Sequence, residues 1–385
     1  MVLVALTAAV AQSFGRFTLG VVLPAVRDDL GLSNTVAGSL ATVNVGAYLA
    51  GTLLVASVAS RFRLLAVMRT GMTLVVGGLL LAALSTGPYL LAGALLVMGV
   101  GGALTWIPAP IVAAAALDPR RRGLAVGMLA SGMGVGVVFS GQLAGFVRST
   151  MGDDSWRRVY LVQGLIGVVV VSSAWLLLSH HQDRRSTSSG IGGFSVLRRM
   201  TGWVPFTVAY TAFGFMYLLV LAFLTTKLED DNGWSSSRAS LAFTLLGVAI
   251  MFGGPLFVTL ADRAGPRLAL AVAFGAWMLS TTALLPGWTV PTMAAAIATG
   301  LLFAAVPTLL TVYVVDNSSA EDYGPTFAAA TFAFGVAQMV SPQLGGYLAD
   351  VVGSFTPVFA LSAGLAGIGL AAVLRLPGRG GAGPS

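Results

Sequence analysis

The chain has no cysteine and only two histidines, His180 and His181, which stand side by side in a polar stretch. Disulfide bonds, thiol chemistry and a Cys/His metal cluster are therefore excluded. Charged residues make up only 9% of the 385 residues and hydrophobic residues 56%, whereas roughly a quarter of the residues are charged in an average soluble domain. This composition excludes a soluble globular protein.

Long apolar runs account for most of the chain. Its mean hydropathy is +0.89, and each run is close to the roughly 20 residues that span a bilayer. We interpret the first run as a membrane span, because it is too long for the apolar core of a signal peptide and no basic residues precede it. The twelve runs cover about residues 3–26, 34–60, 64–86, 89–116, 124–149, 158–179, 202–226, 237–260, 267–285, 291–315, 325–349 and 355–376.

The longest polar segment between runs, residues 180–200, falls between the sixth and the seventh run. The sequence thus predicts an all-helical membrane protein with one six-helix bundle in residues 1–179 and a second in residues 201–376, followed by a tail over 377–385. With the N-terminus inside, 14 of the 21 basic residues fall in cytoplasmic segments and 6 in outer ones. The positive-inside rule then predicts that the central loop, the tail and both termini are cytoplasmic, and we expect the protein in the plasma membrane.

The two predicted bundles repeat each other in sequence. A shift of 201 residues aligns Ser140–Val147 (SGQLAGFV) with Ser341–Leu348 (SPQLGGYL). A shift of 202 aligns the segments after the second and eighth runs, and a shift of 199 aligns Phe14-Gly15 with Phe213-Gly214, which places Arg16 opposite Phe215. Shifts near half the chain length indicate a parallel duplication of six spans, as found in many transporters.

A loop motif carries a resemblance to a known family. The segment Leu260–Arg267 (LADRAGPR) resembles the loop signature of the major facilitator superfamily, and the resemblance extends over the whole chain. It implies two helical bundles related by a pseudo-twofold axis, and a gating role for Asp262, Arg263, Gly265 and Arg267. In the first-half copy Ser60 replaces the acidic residue and the glycine is missing, which leaves Arg61, also assigned a gating role, and Arg63. A simple cytoplasmic turn is the alternative interpretation of this motif.

Small residues recur in the fifth and eleventh runs. Their spacing predicts close helix packing, and the fifth run also resembles the glycine signature of antiporters in the same family, with Ser140-Gly141 in place of its Gly-Pro pair. The resemblance favours antiport or efflux, although close packing alone explains the pattern equally well. The packing positions are Gly136, Gly141, Gly145, Pro342, Gly345 and Gly346.

The middle of the predicted spans contains no Asp, Glu, His or Lys. Intramembrane hydrolysis and metal-dependent chemistry lack their usual residues, so we predict that the protein is not an enzyme and uses no cofactor or metal. A proton carrier within the membrane is also missing, which disfavours the usual form of a proton-coupled drug exporter. We expect exchange, uniport, or a proton that travels on the substrate.

Arg16 is the one basic residue that lies inside a span and away from the helix ends. It shares a helix face with Gln12 and Ser13, and a central arginine costs at least about 2.5 to 3.5 kcal/mol. With no acidic partner in any span, its guanidinium is expected to face a water-filled cavity or a bound anion; hydrogen bonding to carbonyls, Gln or Asn is the structural alternative. Other polar or aromatic residues at similar depth are predicted to line the same cavity: Asn44, Tyr48, Trp106, Tyr210, Phe213, Tyr217, Phe303, Thr308, Phe334 and Gln338.

The sequence therefore predicts a secondary active or facilitative transporter for a small organic anion, working by alternating access with a site between the two bundles. An exporter of hydrophobic or cationic drug-like compounds, with a structural Arg16, is one alternative, and a receptor or scaffold that does not transport is another. The expected partners are a small-molecule substrate and membrane lipid, without nucleic acid, and we expect a monomer.

Overall fold

The computed structural model describes residues 2–58, 61–115, 122–178, 194–319 and 321–377. Each of the twelve predicted runs overlaps one long helix in these ranges, and the predicted all-helical, two-bundle membrane fold is confirmed. The helices are α1 Val2–Asp29, α2 Asn34–Val58, α3 Leu64–Ala83, α4 Pro88–Trp106, α5 Arg122–Met151, α6 Trp156–Leu177, α7 Trp203–Asp230, α8 Ser236–Ala264, α9 Pro266–Ala283, α10 Thr289–Asn317, α11 Tyr323–Val352 and α12 Thr356–Val373.

Ten of the described helices are long and apolar enough to cross a membrane on length and composition alone, and α9 and α11 fall outside that group. Three short elements complete the described residues: Ala109–Ala115, Asp153–Ser155 and Phe194–Leu197. Most of the predicted central loop, Ser60, and the tail beyond Pro377 lie outside the described residues.

The fourth run is not one continuous helix. Helix α4 ends at Trp106, and a separate helix covers Ala109–Ala115. Pro108 lies at the break, where its missing N–H and its ring prevent the α-helical hydrogen bond from continuing. The single span predicted over 89–116 is therefore divided just after Trp106, one of the predicted cavity residues.

Helix α1 contains a long stretch of π-helix. Residues Ala9–Phe17 form it, and the N–H of Thr18 closes it by donating to the carbonyl of Ser13, five residues earlier. π-helical turns are rare and often occur at functional sites. Arg16 lies within this stretch.

Two equivalent interfaces join the bundle α1–α6 to the bundle α7–α12. Helix α2 packs against α11 so closely that a Cβ on Gly38 would lie 2.2 Å from the carbonyl oxygen of Pro342, and α5 packs against α8 so closely that a Cβ on Gly141 would lie 2.5 Å from Thr244 Oγ1. The same relationship recurs between Gly346 and Asn34, where the distance is 2.1 Å. The duplication seen in the sequence thus reappears as two copies of one helix contact.

Helices α1 and α7 contact each other directly between the bundles. A Cβ on Gly20 would lie 2.2 Å from the carbonyl oxygen of Leu221, and Arg16 contacts Tyr217. Both pairs differ by 201 residues, the same shift that relates α5 to α11. Arg16 therefore faces Tyr217 across the two bundles, and the alignment of Arg16 with Phe215 in the sequence repeat stays a prediction.

Charged side chains close the interface at one end of the molecule, which we call the sealed side. Arg148 donates to both carboxylate oxygens of Glu229 over 2.8 and 2.6 Å, and Arg27 pairs with Asp230. Asp350 accepts from the backbone N–H groups of Asn34 and Thr35, which begin α2. Each of these contacts joins one bundle to the other. We call the opposite end, where the described chain begins and ends, the terminal side.

Candidate functional site

Arg16 lies between the two bundles and bonds to both helices that face it. Its Nη2 donates to Tyr217 Oη over 3.0 Å and to Gln338 Oε1 over 2.5 Å. Tyr217 Oη in turn donates to the same Gln338 oxygen over 2.6 Å. One amide oxygen therefore accepts two hydrogen bonds and connects α1, α7 and α11.

The guanidinium of Arg16 also lies on an aromatic face. Its Cζ is 4.6 Å from the centre of the Tyr48 ring and 5.9 Å from that of Phe17, distances at which a cation is attracted to the ring. Among the described residues it has no ion pair, and its Nε is buried without a hydrogen-bond partner. The positive charge of Arg16 is thus surrounded by neutral groups only.

An aromatic cluster extends from Tyr217 into the second bundle. The Tyr217 ring lies 5.9 Å from Phe334 and parallel to it, and 5.2 Å from both Phe213 and Phe303. Phe303 reaches across to Phe17 of the first bundle with ring centres 5.8 Å apart. One charged residue of the first bundle therefore faces an aromatic surface of the second.

Burial divides the predicted cavity residues into two groups. Those that are partly exposed can contact a substrate, whereas the buried ones act behind this surface or in packing. The partly exposed residues are Arg16, Tyr48, Trp106, Phe303, Thr308 and Phe334, and the buried ones are Gln12, Ser13, Asn44, Tyr210, Phe213, Tyr217 and Gln338.

Two of the buried residues, Asn44 and Ser13, donate hydrogen bonds to backbone carbonyls. Asn44 Nδ2 donates to the carbonyls of Gly15 and Leu95 over 3.0 and 2.9 Å, which ties the π-helical stretch to α4. Ser13 Oγ donates to the carbonyl of Met133 over 2.6 Å. Gln12 is only 4% exposed, and its Nε2 is buried without a partner.

The remaining predicted residues lie apart from the hydrogen bonds around Arg16. Tyr210 stacks on Phe334 with ring centres 4.8 Å apart and pairs with Thr331. Thr308 Oγ1 donates to the carbonyl of Ala304 in its own helix. Trp106 is partly buried and packs against the core at the end of α4.

Sequence reasoning did not find a polar group within the first bundle. Thr18 Oγ1 donates to Gln163 Oε1 over 3.0 Å, and Gln163 Nε2 donates to Ser140 Oγ over 3.0 Å. All three residues are fully buried. The sequence signal that could have indicated this group was one polar residue inside each of the first, fifth and sixth runs.

The small residues singled out in the sequence all lie at close contacts. Gly136 faces Ser13 of α1, Gly145 faces Ser240 of α8, and Gly345 faces Phe223 of α7, where an added Cβ would come within 2.6 to 3.0 Å. Gly141, Pro342 and Gly346 form the interfaces between the bundles described above. Helices that approach this closely leave no room for a larger residue.

The loop motif lies at the terminal side. Gly265 separates α8 from α9 with a φ of +88°, a conformation that favours glycine. Arg267 donates to the carbonyl of Leu374 near the end of α12. Asp262, Arg263 and Arg61 are exposed, and the described part of the chain offers Asp262 no hydrogen bond or ion pair.

Comparison with known proteins identifies the family. Residues 8–374 match the family described as "Uncharacterised MFS-type transporter YbfB". The chain belongs to the major facilitator superfamily. It is therefore a multi-pass membrane transporter and not an enzyme.

Two relatives and two solved structures show the range of this likeness. Monocarboxylate transporter 13 of Bos taurus is 25% identical over 325 residues, which cover 81% of this chain and 73% of that protein. The uncharacterized transporter YybO of Bacillus subtilis (strain 168) is 23% identical over 382 residues, covering 90% of this chain and 86% of that protein.

The solved structures support the fold. A bacterial homologue of the human lysosomal transporter Spinster, in an inward-facing and occupied conformation, is 19% identical with a TM-score of 0.72, and the match covers 97% of this chain and 93% of that one. A variant of the nucleoside transporter NupG is 16% identical with a TM-score of 0.77 and covers 97% and 99% of the two chains.

Proposed function

We propose that this transporter carries a small organic monoanion, with Arg16 as the partner of the substrate's negative group. The observation that carries the proposal is the position of Arg16 between the bundles with neutral partners only. A partly buried cation without a counter-ion is costly, and a bound anion would offset that cost. Carboxylates and sulfonates suit a guanidinium, because two of their oxygens can accept from its N–H groups.

The surroundings of Arg16 support a substrate with one negative charge and an apolar body. A single guanidinium balances one charge, and the partly exposed Tyr48, Phe303 and Phe334 offer ring faces to a hydrocarbon or aromatic group. The relative named Monocarboxylate transporter 13 points to the same class of compound. An aromatic monocarboxylate such as benzoate is therefore a suitable first probe.

Transport is proposed to proceed by alternating access. The ion pairs and close helix contacts between the bundles hold the sealed side shut, so access to the partly exposed Arg16 would come from the terminal side. From the positive-inside rule, the terminal side is proposed to face the cytoplasm and the sealed side the exterior of the plasma membrane. The partners of Arg16 carry no titratable carboxylate, which supports exchange, uniport, or a proton that moves with the substrate.

A ligand screen of the purified protein tests this function. We expect benzoate and benzenesulfonate to raise the thermal unfolding temperature, since a ligand at 100 times its dissociation constant adds about 2.7 kcal/mol of stability. Dicarboxylates are expected to stabilise less, because no second cation lies beside Arg16 among the described residues. Stabilisation by lipophilic cations alone would contradict the proposal.

The loop motif gives a second expectation. If Asp262 closes the terminal side by pairing across the bundles, Asp262→Asn should slow transport in proteoliposomes while leaving anion binding intact. Ser60→Ala in the first-half copy should have little effect, because that loop lacks the acidic residue. Equal transport by the two variants would remove the gating role of Asp262.

A further inference from the structure

Gln338 is the residue that holds Arg16 in this structure. Its Oε1 lies 2.5 Å from Arg16 Nη2 and 2.6 Å from Tyr217 Oη, and the side chain is only 2% exposed. We propose that Gln338 is an internal stand-in for the substrate's carboxylate: its amide oxygen binds Arg16 in the empty transporter, competes with the anion, and is displaced when the anion binds. This inference rests on the proposed role of Arg16 in anion binding.

The chemistry of the two acceptors supports a competition. An amide oxygen and a carboxylate oxygen have similar size and accept hydrogen bonds in similar directions. The carboxylate is the stronger acceptor, because both partners are then charged. An anion can therefore take the position beside Arg16 Nη2 and Tyr217 Oη that Gln338 Oε1 now occupies.

The guanidinium is also incompletely satisfied by Gln338. Both of its hydrogen bonds to described residues come from Nη2, and Nε is buried without a partner. In this arrangement Gln338 Oε1 accepts from Nη2 and not from Nε, whereas a carboxylate has a second oxygen that can accept from another nitrogen. Gln338 thus keeps Arg16 ordered in the absence of substrate, and it leaves hydrogen-bond donors of the guanidinium free for the substrate.

The hydrogen bond between Arg16 and Gln338 also links substrate binding to the arrangement of the two bundles. Arg16 belongs to the first bundle and Gln338 to the second, so displacement of Gln338 removes a direct bond between them. The empty transporter keeps that bond, which partly solvates the guanidinium while the site is closed from water. We therefore expect Gln338 to help the empty transporter change back to the conformation in which it binds the next substrate.

Binding of benzoate and benzenesulfonate to the Gln338→Leu protein tests the competition. Loss of a competing hydrogen bond to a charged group should tighten binding by about tenfold, whereas loss of a ligand would weaken it. Gln343→Leu, an exposed position on the same helix, is the control and should bind like the wild type. Unchanged or weaker binding by folded Gln338→Leu would overturn the proposal.

Gln338→Glu gives an independent test with a nearly isosteric side chain. Its carboxylate should pair with Arg16 and weaken benzenesulfonate binding by more than about tenfold at pH 8. Acidification should restore binding as the new carboxyl is protonated, because the sulfonate stays ionised and the wild-type affinity is not expected to change in this way. Benzenesulfonate binding that is as tight as in the wild type at pH 8 would refute a stand-in.

The wild-type protein separates this inference from the proposed function. If the wild type binds neither probe and Arg16→Gln changes nothing, the anion-binding role of Arg16 fails and the inference fails with it. If the wild type binds the probes through Arg16 but the Gln338 variants do not behave as described, only the stand-in role is wrong.

Discussion

Arg16→Gln is expected to abolish binding of benzoate and benzenesulfonate while the protein remains folded. Glutamine keeps a polar side chain of moderate length, but it removes the only charge that lies among the site residues. A hydrogen bond to a charged group contributes about 1.5 to 3 kcal/mol, and a bidentate anion would lose two, so affinity should fall by about 100-fold or more. Removing a partly buried cation that has no counter-ion relieves a cost, which favours survival of the fold.

Arg16→Lys should rescue binding only in part. Lysine restores the positive charge but has a single nitrogen and cannot form the two-point contact. The measurement is calorimetric titration of monodisperse Arg16→Gln and Arg16→Lys proteins, with Arg63→Gln, an exposed arginine on the terminal side, as the matched control. Wild-type affinity in Arg16→Gln would end the anion hypothesis and direct attention to uncharged or cationic compounds.

Gly38→Leu is expected to prevent closure of the sealed side and to remove most transport. The added Cβ would lie 2.2 Å from the carbonyl oxygen of Pro342 and 3.3 Å from the Cα of Gln343. Backbone atoms in packed helices cannot move aside as a flexible side chain can, so α2 and α11 must separate. Because this contact joins the two bundles, the variant should shift the protein toward a conformation open at the sealed side.

Cysteine labelling can follow that shift, because the chain contains no cysteine of its own. A cysteine at Ser240, which is 1% exposed and faces Gly145 across the interface, should react slowly with a water-soluble maleimide in the parent protein and several-fold faster with Gly38→Leu. Gly364→Leu is the control, since nothing lies within 4 Å of its Cβ position. Normal transport and slow labelling in Gly38→Leu would contradict the role of this contact.

Much of the fold could be predicted because it depends on composition and spacing. Apolar runs of membrane length gave the helices, and the shift of 201 residues between Ser140 and Ser341 gave the duplication. Arg16 could be found because a lone charge at mid-depth has few explanations. Local deviations were missed: nothing in the sequence around Arg16 indicates a π-helix, and Pro108 was read as part of a continuous run.

The partners of Arg16 could not be predicted, because they depend on contacts between distant residues. Gln338 is 322 residues away from Arg16. Helical periodicity predicts which face of α11 carries Gln338, but it does not predict which helix lies opposite that face. Depth alone also did not separate Phe213, which is 1% exposed, from the partly exposed Phe334. The ion pair between Glu229 and Arg148 across the bundles likewise depends on the three-dimensional arrangement.

The two copies of the helix contact lie on opposite sides of the pseudo-twofold axis and together define a line about which one bundle can pivot against the other. The close contacts of α5 with α8 reach Gly134, where an added Cβ would lie 2.4 Å from Met251. From there α5 continues to Arg122 and packs on α1 of its own bundle, where a Cβ on Gly132 would lie 2.1 Å from the carbonyl oxygen of Ala5. This arm is about 18 Å long at 1.5 Å per residue. A rotation of about 10° at the pivot would move its tip by about 3 Å. Because this arm packs on its own bundle, it moves with that bundle, and its length beyond the contact sets how far the first bundle moves at the terminal side.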